Sequence, residues 1–380
     1  MWLLFGADLG PTKTNFDLFA AGDAKALLGE ELLQLLQQAD LRCFDLEVPL
    51  TDTNTPIQKH GPNLRAPENA VAGIKAMGVN LLTLANNHIL DQGQTGLEAT
   101  LRALDGAGIP HFGTGLYPDC AVPYIFEKDG KKVGIYACTE HEFSVATEQT
   151  PGANPFEPLE TPDHVAQLKA RCDFVVVLYH GGREHYRYPS PGLQKTCRKL
   201  VEKGADLVLC QHSHCIGCAE QYQGGTIVYG QGNFLFDRAD NDFRNSAILV
   251  QVEDDFSVTY LPLLKNGNGV VLAQGQEGQA ILDAFYARSE QIKDPAFVQK
   301  TYETFAQSGG LHYLLLLNKI NSKNPVNRIL NKLTRGGWYR WWLRRMKAEN
   351  CIALQNYLEC EAHRELLLQA LQTQGNKRTK

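Results

Sequence analysis

Five short apolar runs, each closed by a polar cluster, constrain this chain more than any other feature. The runs are Trp2–Phe5, Leu41–Phe44, Val79–Leu84, Phe174–Leu178 and Leu207–Cys210. The clusters that close them are Gly6-Ala7-Asp8, Asp45-Leu46-Glu47, Ala85-Asn86-Asn87-His88, Tyr179-His180-Gly181-Gly182 and Gln211-His212-Ser213-His214. Runs this short and this apolar, interrupted only at Arg42, Asn80 and Thr83, read as buried parallel strands. In open α/β sheets the ligand site lies beyond the carboxyl ends of such strands. Five strand ends therefore bring Asp, Glu, Asn and His to one edge. Oxygen and imidazole donors in that mixture suit a divalent metal site.

The pattern between the runs sets the organisation. Helical spacing covers Ala24–Gln38, Pro67–Met77 and Thr95–Ala107, the last stopped by Gly108 and Pro110. Val122–Phe126 and Lys132–Ala137 flank an Asp129-Gly130 turn and read as a hairpin. Residues 140–165 carry Pro151, Pro155, Pro158 and Pro162 and read as a loop or lid. A helix follows over Leu193–Glu202, ended at Gly204. Two further hairpins are expected, over 217–229 and 247–263. A parallel half and an antiparallel half would then pack as two sheets with helices outside. The expected domains are 1–270 and a helical C-terminal region, 275–380.

His212 and His214 sit two apart beyond a strand end, so both imidazoles can reach one locus if the backbone turns there. His180 precedes two glycines, which permit a tight turn beside a ligand. Asn87 offers a neutral oxygen ligand. The adjacent His88 would then face substrate as a general acid or charge stabiliser. Asn86 and Asp91 are candidates to orient these groups. Asp8 and Glu47 bring negative charge that a metal would neutralise. Alternatives stay open: Asp8 as a helix N-cap, Asn86-Asn87 as a plain turn. Arg183 and Glu184, after His180, are candidate substrate contacts.

A net charge of −5 and a pI near 6.1 argue against a general nucleic-acid binder. Several of the ten cysteines lie in apolar stretches, as Cys43, Cys138, Cys172 and Cys210 do. The first strand follows Met1 too closely for a signal peptide. Reduced thiols and a cytoplasmic location are the expectation. Cys215 and Cys218 have the spacing of a zinc-ligand pair but no second pair at zinc-ribbon distance, so incidental thiols are expected.

Six ordered blocks resemble the CapA-type family linked to poly-γ-glutamate capsule synthesis, itself similar in fold to calcineurin-like metallophosphoesterases. They are Asp45-Leu46-Glu47-Val48-Pro49-Leu50; Ala85-Asn86-Asn87-His88 with Asp91 and Gly93; Leu97 to Leu104 with Gly113; His180-Gly181-Gly182-Arg183-Glu184; Gly204-Ala205-Asp206 leading into Gln211-His212-Ser213-His214; and Tyr229-Gly230-Gln231-Gly232-Asn233-Phe234. The resemblance spans about residues 3–240. It implies a two-sheet α/β/β/α sandwich with a C-terminal helical appendage, and one or two divalent ions, with Mn, Fe or Zn as candidates. By position, Asn87, His180 and His212 would hold one ion and Asp8 and His214 the other. Glu47 would bridge, His88 would be the catalytic imidazole, and Asn233 would line or support the site. Three departures stand out: Leu9-Gly10 follows Asp8 where the wider pattern places His, Glu47 stands where that pattern has a bridging Asp, and Asp45 replaces the usual Asn.

The resemblance implies a metal-dependent, hydrolase-type site acting on an anionic polymer or a small γ-glutamyl substrate. A phosphoesterase proper and a non-catalytic subunit of a polymer-synthesis complex are the alternatives. Residues 321–347 hold eight Lys/Arg, no Asp/Glu, and Trp338, Tyr339, Trp341 and Trp342. This segment is either a packed helical appendage or a surface for an anionic partner or membrane.

Overall fold

The computed structural model describes residues 1–236, 243–317, 319–360, 362–364, 366–368 and 371. Its strands are β1 (Leu3–Gly10), β2 (Leu41–Leu46), β3 (Leu81–Thr83), β4 (His111–Phe112), β5 (Thr114–Gly115), β6 (Tyr124–Lys128), β7 (Lys131–Thr139), β8 (Gly152–Ala153), β9 (Phe174–His180), β10 (Leu207–Gln211), β11 (Ala219–Tyr222), β12 (Gly225–Val228), β13 (Asn233–Phe236), β14 (Ser246–Val252), β15 (Val258–Asn266) and β16 (Gly269–Leu272). The helices are α1 (Phe16–Ala21), α2 (Ala24–Gln38), α3 (Val71–Ala76), α4 (Gly93–Ala107), α5 (Thr161–Lys169), α6 (Pro191–Glu202), α7 (Gly275–Gln291), α8 (Pro295–Gly309), α9 (Leu311–Leu317), α10 (Pro325–Leu333), α11 (Gly337–Arg344) and α12 (Ala348–Glu359).

Two sheets face each other. One runs β16-β15-β14-β1-β2-β3-β4, with β13 also pairing β1; the other runs β11-β12-β10-β9-β7-β6. Strand alternation explains the layering. Leu3 and Phe5 of β1 point into the core between the sheets, where they join Cys43, Leu81, Val176, Leu178, Leu207 and Leu209. Leu4 points the other way, against Leu27, Leu28 and Leu32 of α2 and Leu97 and Leu104 of α4. On the far side, Val175, Val177 and Val208 pack on Val165 and Leu168 of α5 and Leu200 of α6. Three apolar cores separate four layers, the α/β/β/α sandwich. Burial of each such Leu or Val contributes about 1.5–3 kcal/mol.

Three expectations need correction. The parallel and antiparallel segments do not form separate sheets. Parallel β1–β4 share a sheet with antiparallel β14–β16, and parallel β7, β9 and β10 share one with the β11–β12 hairpin. Residues 140–165 are not all loop. The chain enters α5 at Thr161, with Pro162 in the first turn, where a proline lacks no needed N–H. Helix α2 is interrupted at Gly29, whose φ of 66° and ψ of 168° leave the helical region.

Contacts group the chain into two compact units, Met1–Gln299 and Lys300–Lys380. Helix α7 belongs to the first. Its Phe285 is buried in the core between the sheets, and its Arg288 Nε donates to Gly217 O at 2.7 Å. The predicted tail beyond 371 lies outside the described residues. Among the described residues no helix is long and apolar enough to cross a membrane. All ten cysteines are free, and both Cys215 and Cys218 are buried.

Candidate metal centre

The carboxyl ends of β1, β2, β9 and β10 and the turn after β3 converge on one buried locus. Asp8 is in register with Asp45 on β2 and with Asn233 on β13. Register shifts beside Asp8 in both pairings mark an irregularity of the kind that re-aims side chains near sites. Asp8 lies inside β1, so the N-cap alternative falls. In the other sheet Gln211 is in register with His180. The sheets are tied at this edge, where Gln211 Nε2 donates to Gly6 O at 3.2 Å; Gln231, just before β13, donates its Nε2 to Phe5 O of β1 at 2.9 Å.

Beyond β10 the backbone turns as the sequence requires. His212 has φ 76° and His214 φ 53°, both in the left-handed region. Such residues cost about 1 kcal/mol or more and cluster at functional sites. The turn brings both imidazoles inward. His214 Nδ1 lies 3.1 Å from Asp8 Oδ2 and 2.8 Å from Asn233 Oδ1. His212 Nδ1 lies 3.2 Å from His180 Nε2. That His180 nitrogen is also 3.0 Å from Asn87 Oδ1 and 3.4 Å from Glu47 Oε1. Glu47 Oε1 is 4.0 Å from His214 Nε2. The other His180 nitrogen is 3.1 Å from Asp45 Oδ2.

Many of these atoms are near one another yet unsatisfied. Asp8 Oδ2, Asp45 Oδ2, both Glu47 carboxylate oxygens and His180 Nδ1 are buried without a hydrogen bond of proper geometry. Leaving so many buried polar atoms unpaired is costly. Close approach without alignment is how ligands stand around a shared centre. Glu47, His180 and His212 form one group whose ligand atoms lie within 4.8 Å of one another; Asp8, Glu47 and His214 form a second; Asp8, Asp45 and His180 a third. The donors fit a divalent ion, and Glu47 is common to two groups.

The electrostatics follow from burial and charge. Burial opposes ionisation of Glu47, but the His214 and His180 imidazoles overcome it and hold Glu47 below the usual carboxylate range. Burial pushes Asp45 up to about 6. Asp8 is raised by burial and by Glu47. Burial would lower His180 and His214, but Asp45 and Glu47 raise the first, and Glu47 and Asp8 raise the second to about 9. His212 is pushed down by burial and by the neighbouring imidazoles.

These shifts carry a pH prediction. A raised folded-state pKa gives stability that is full below the unfolded value, about 6.5 for His, and lost as pH rises through the folded value. His212, lowered, titrates below that window and adds nothing above pH 7. The chelated protein should therefore lose stability from pH 7 to 9 through His180 and His214. In the loaded protein ligated imidazoles cannot protonate, so the gap between the two forms should widen. Urea midpoints of both forms at pH 7, 8 and 9 check this; a constant gap contradicts it.

The candidate catalytic imidazole is placed by its own network. Asn86 anchors the turn: its Nδ2 donates to Asp45 Oδ1 at 2.9 Å and to Leu46 O at 2.8 Å, while its Oδ1 accepts from His88 N at 3.1 Å. Asn86-Asn87 is thus a turn and part of the site at once. His88 Nδ1 lies 2.5 Å from Asp91 Oδ2, which also accepts from Leu64 N at 2.6 Å. Asp91 Oδ1 is ion-paired to Lys59. Arg183 and Glu184 lie on the loop after β9, where Arg183 is exposed and Glu184 half-buried. That loop brings His185 to within 6.1 Å, ring to ring, of His214.

Sequence reasoning named Asp45 within a cluster without giving it a role, and missed Lys59, Glu142 and His185. Asp45 had a signal, since strand alternation puts it on the same face as Glu47. Glu142, which accepts from Asn87 Nδ2 at 2.9 Å, and Lys59 lie outside the regular elements, where no period marks them.

The family model described as "Bacterial capsule synthesis protein PGA_cap" matches residues 15–238, more than half of the chain. The chain belongs to the PGA_cap family. Among PGA_cap relatives, a Mycobacterium tuberculosis protein described as a probable polyglutamine synthesis accessory protein is 30% identical over 319 residues, 80% of this chain and 82% of the relative. The "Capsule biosynthesis protein CapA" of Bacillus anthracis is 29% identical over 224 residues, 56% of this chain and 54% of the relative. The chain thus matches about half the length of the Bacillus relatives. Haemophilus influenzae NAD nucleotidase aligns at a TM-score of 0.42 and 15% identity, over 74% of this chain and 61% of that one. That likeness adds nothing to the topology above. The PGA_cap match begins after Asp8, so the place of Asp8 rests on the register of β1.

Proposed function

We propose that this PGA_cap protein is a metal-dependent, hydrolase-type component of capsule or poly-γ-glutamate metabolism, acting on an anionic polymer or a small γ-glutamyl substrate. The observation that carries the reading is the buried convergence of Asp8, Glu47, His180, His212 and His214, with both Glu47 oxygens unpaired. Asn87, whose Oδ1 faces His180, completes the donor set. A bound divalent ion supplies a Lewis acid and a water of lowered pKa. The chain's own residues do the rest. His88 carries the proton for the leaving group, and Asp91 fixes its ring through Nδ1. Asn233 orients His214. Arg183 and Glu184, on the loop after β9, would contact the substrate.

The test is elemental analysis of purified protein, followed by a hydrolysis panel of γ-glutamyl oligomers and aryl phosphoesters. Bound metal with γ-glutamyl turnover supports the reading. Turnover of phosphoesters alone would make the chain a phosphoesterase proper. His88→Ala should keep the metal and lower turnover by about 10²–10⁴-fold. The M. tuberculosis relative's description favours an accessory role as the second reading. Metal without hydrolysis of any substrate would support that role.

A further inference from the structure

We infer that the outer face of α10, with Trp341 and Arg345 of the adjoining segment, docks on an anionic lipid surface. Helix α10 is packed inside out. Its amide positions face α11: Trp338 Nε1 donates to Asn327 Oδ1 at 3.2 Å, and Tyr339 N to Asn331 Oδ1 at 3.2 Å. Most of its apolar residues face outward, Leu330 being half-buried. Val326, Ile329 and Leu333 are 62%, 58% and 74% exposed, and no residue of the helix is buried. Their spacing places them on one stripe. A helix normally buries such a stripe.

The charge around the stripe names the occupant. Residues 321–347 carry eight Lys/Arg and no Asp/Glu. Arg328 and Lys332 lie beside Ile329, around a cleft of about 430 Å³ that Pro325 completes. Trp341 is 45% exposed, with the Arg345 guanidinium 4.2 Å from its ring centre. Exposed aliphatic groups, a rim of cations and an exposed Trp are the pattern of a helix lying in a membrane interface. A hydrophilic polyanion such as poly-γ-glutamate would meet the cations but give Val326, Ile329 and Leu333 nothing to bury against. A second copy would set this positive face against its own like charge in a two-fold pairing. An anionic bilayer answers both the charge and the apolar stripe.

The test uses the full chain and flotation with vesicles. The protein should float with vesicles of equal parts phosphatidylcholine and phosphatidylglycerol and not with phosphatidylcholine alone. Its tryptophan emission should shift to the blue on binding. Association should fall as salt rises above physiological ionic strength. Ile329→Glu with Leu333→Glu should weaken it by roughly tenfold or more, since two large apolar side chains lose their burial in lipid. These residues are exposed, so melting should not change. Arg328→Ala with Lys332→Ala should weaken binding to anionic vesicles through charge alone. Failure to float, equal binding to neutral vesicles, or full binding by the Glu variant overturns the proposal. So does soluble poly-γ-glutamate that competes the protein off vesicles and still binds the Glu variant. A dimer in solution that the Glu variant dissolves would assign the face to a second copy and overturn it as well.

Discussion

His180→Ala and His212→Ala should each strip metal from the protein. His180 Nε2 faces Glu47, Asn87 and His212 at once, so no other side chain can take its place. Two readouts should move together. Metal per chain, by elemental analysis, should drop well below wild type. The stabilisation that added metal gives wild type, about 2.7 kcal/mol at a hundredfold excess over Kd, should vanish in the variants. Asp45→Asn should do less. Asp45 touches the far nitrogen of His180, and losing such an orienting carboxylate costs about 10–100-fold in metal affinity. Unchanged stoichiometry in both His variants would remove the metal assignment. A loss in Asp45→Asn as deep as in His180→Ala would make Asp45 a ligand itself, through its group with Asp8 and His180.

The parts of this site that were legible share one cause. β1, β2, β3, β9 and β10 are nearly all buried, so their sequences are largely apolar and the polar residues near each carboxyl end stand out. A polar residue placed there must have a partner, which is why Asp8, Glu47, His180, His212 and His214 stood out. The same property hid the sheet order. A strand buried on both faces has no period to say which sheet it joins. That choice is made by long-range pairing, as when β7 aligns with β9 and Gln211 reaches across to Gly6. The Gly29 break was hidden for a different reason. The apolar spacing of α2 continues through it, and only the φ that Gly29 adopts shows the interruption. The Pro162 error came from reading proline as a breaker when it stood at a helix start.

Lys59 was the least legible residue, and its loss should have the second large effect. It sits in an irregular stretch, yet its side chain is only 2% exposed. Its partner Asp91 is 32 residues away along the chain and fully buried. The ammonium also lies 3.2 Å from His88 Nδ1. Removing one member of a buried pair leaves an uncompensated charge, which costs about 3–5 kcal/mol. Lys59→Met keeps most of the aliphatic stem and removes only the charge, so that cost should appear nearly whole as a fall in the urea midpoint. Asp91→Asn should destabilise as well, because the amide cannot match the carboxylate toward Lys59. The double variant should recover part of the loss, with a coupling of about 0.5–3 kcal/mol. Metal content should stay at the wild-type level in Lys59→Met, since neither Lys59 nor Asp91 belongs to the three ligand groups. Turnover should fall if His88 depends on Asp91 for its orientation. A loss of stability below about 1 kcal/mol would mean that the pair is solvated and behaves as a surface ion pair. A drop in bound metal would instead show that Lys59 and Asp91 hold the turn carrying Asn87 and act on the ligand set through it.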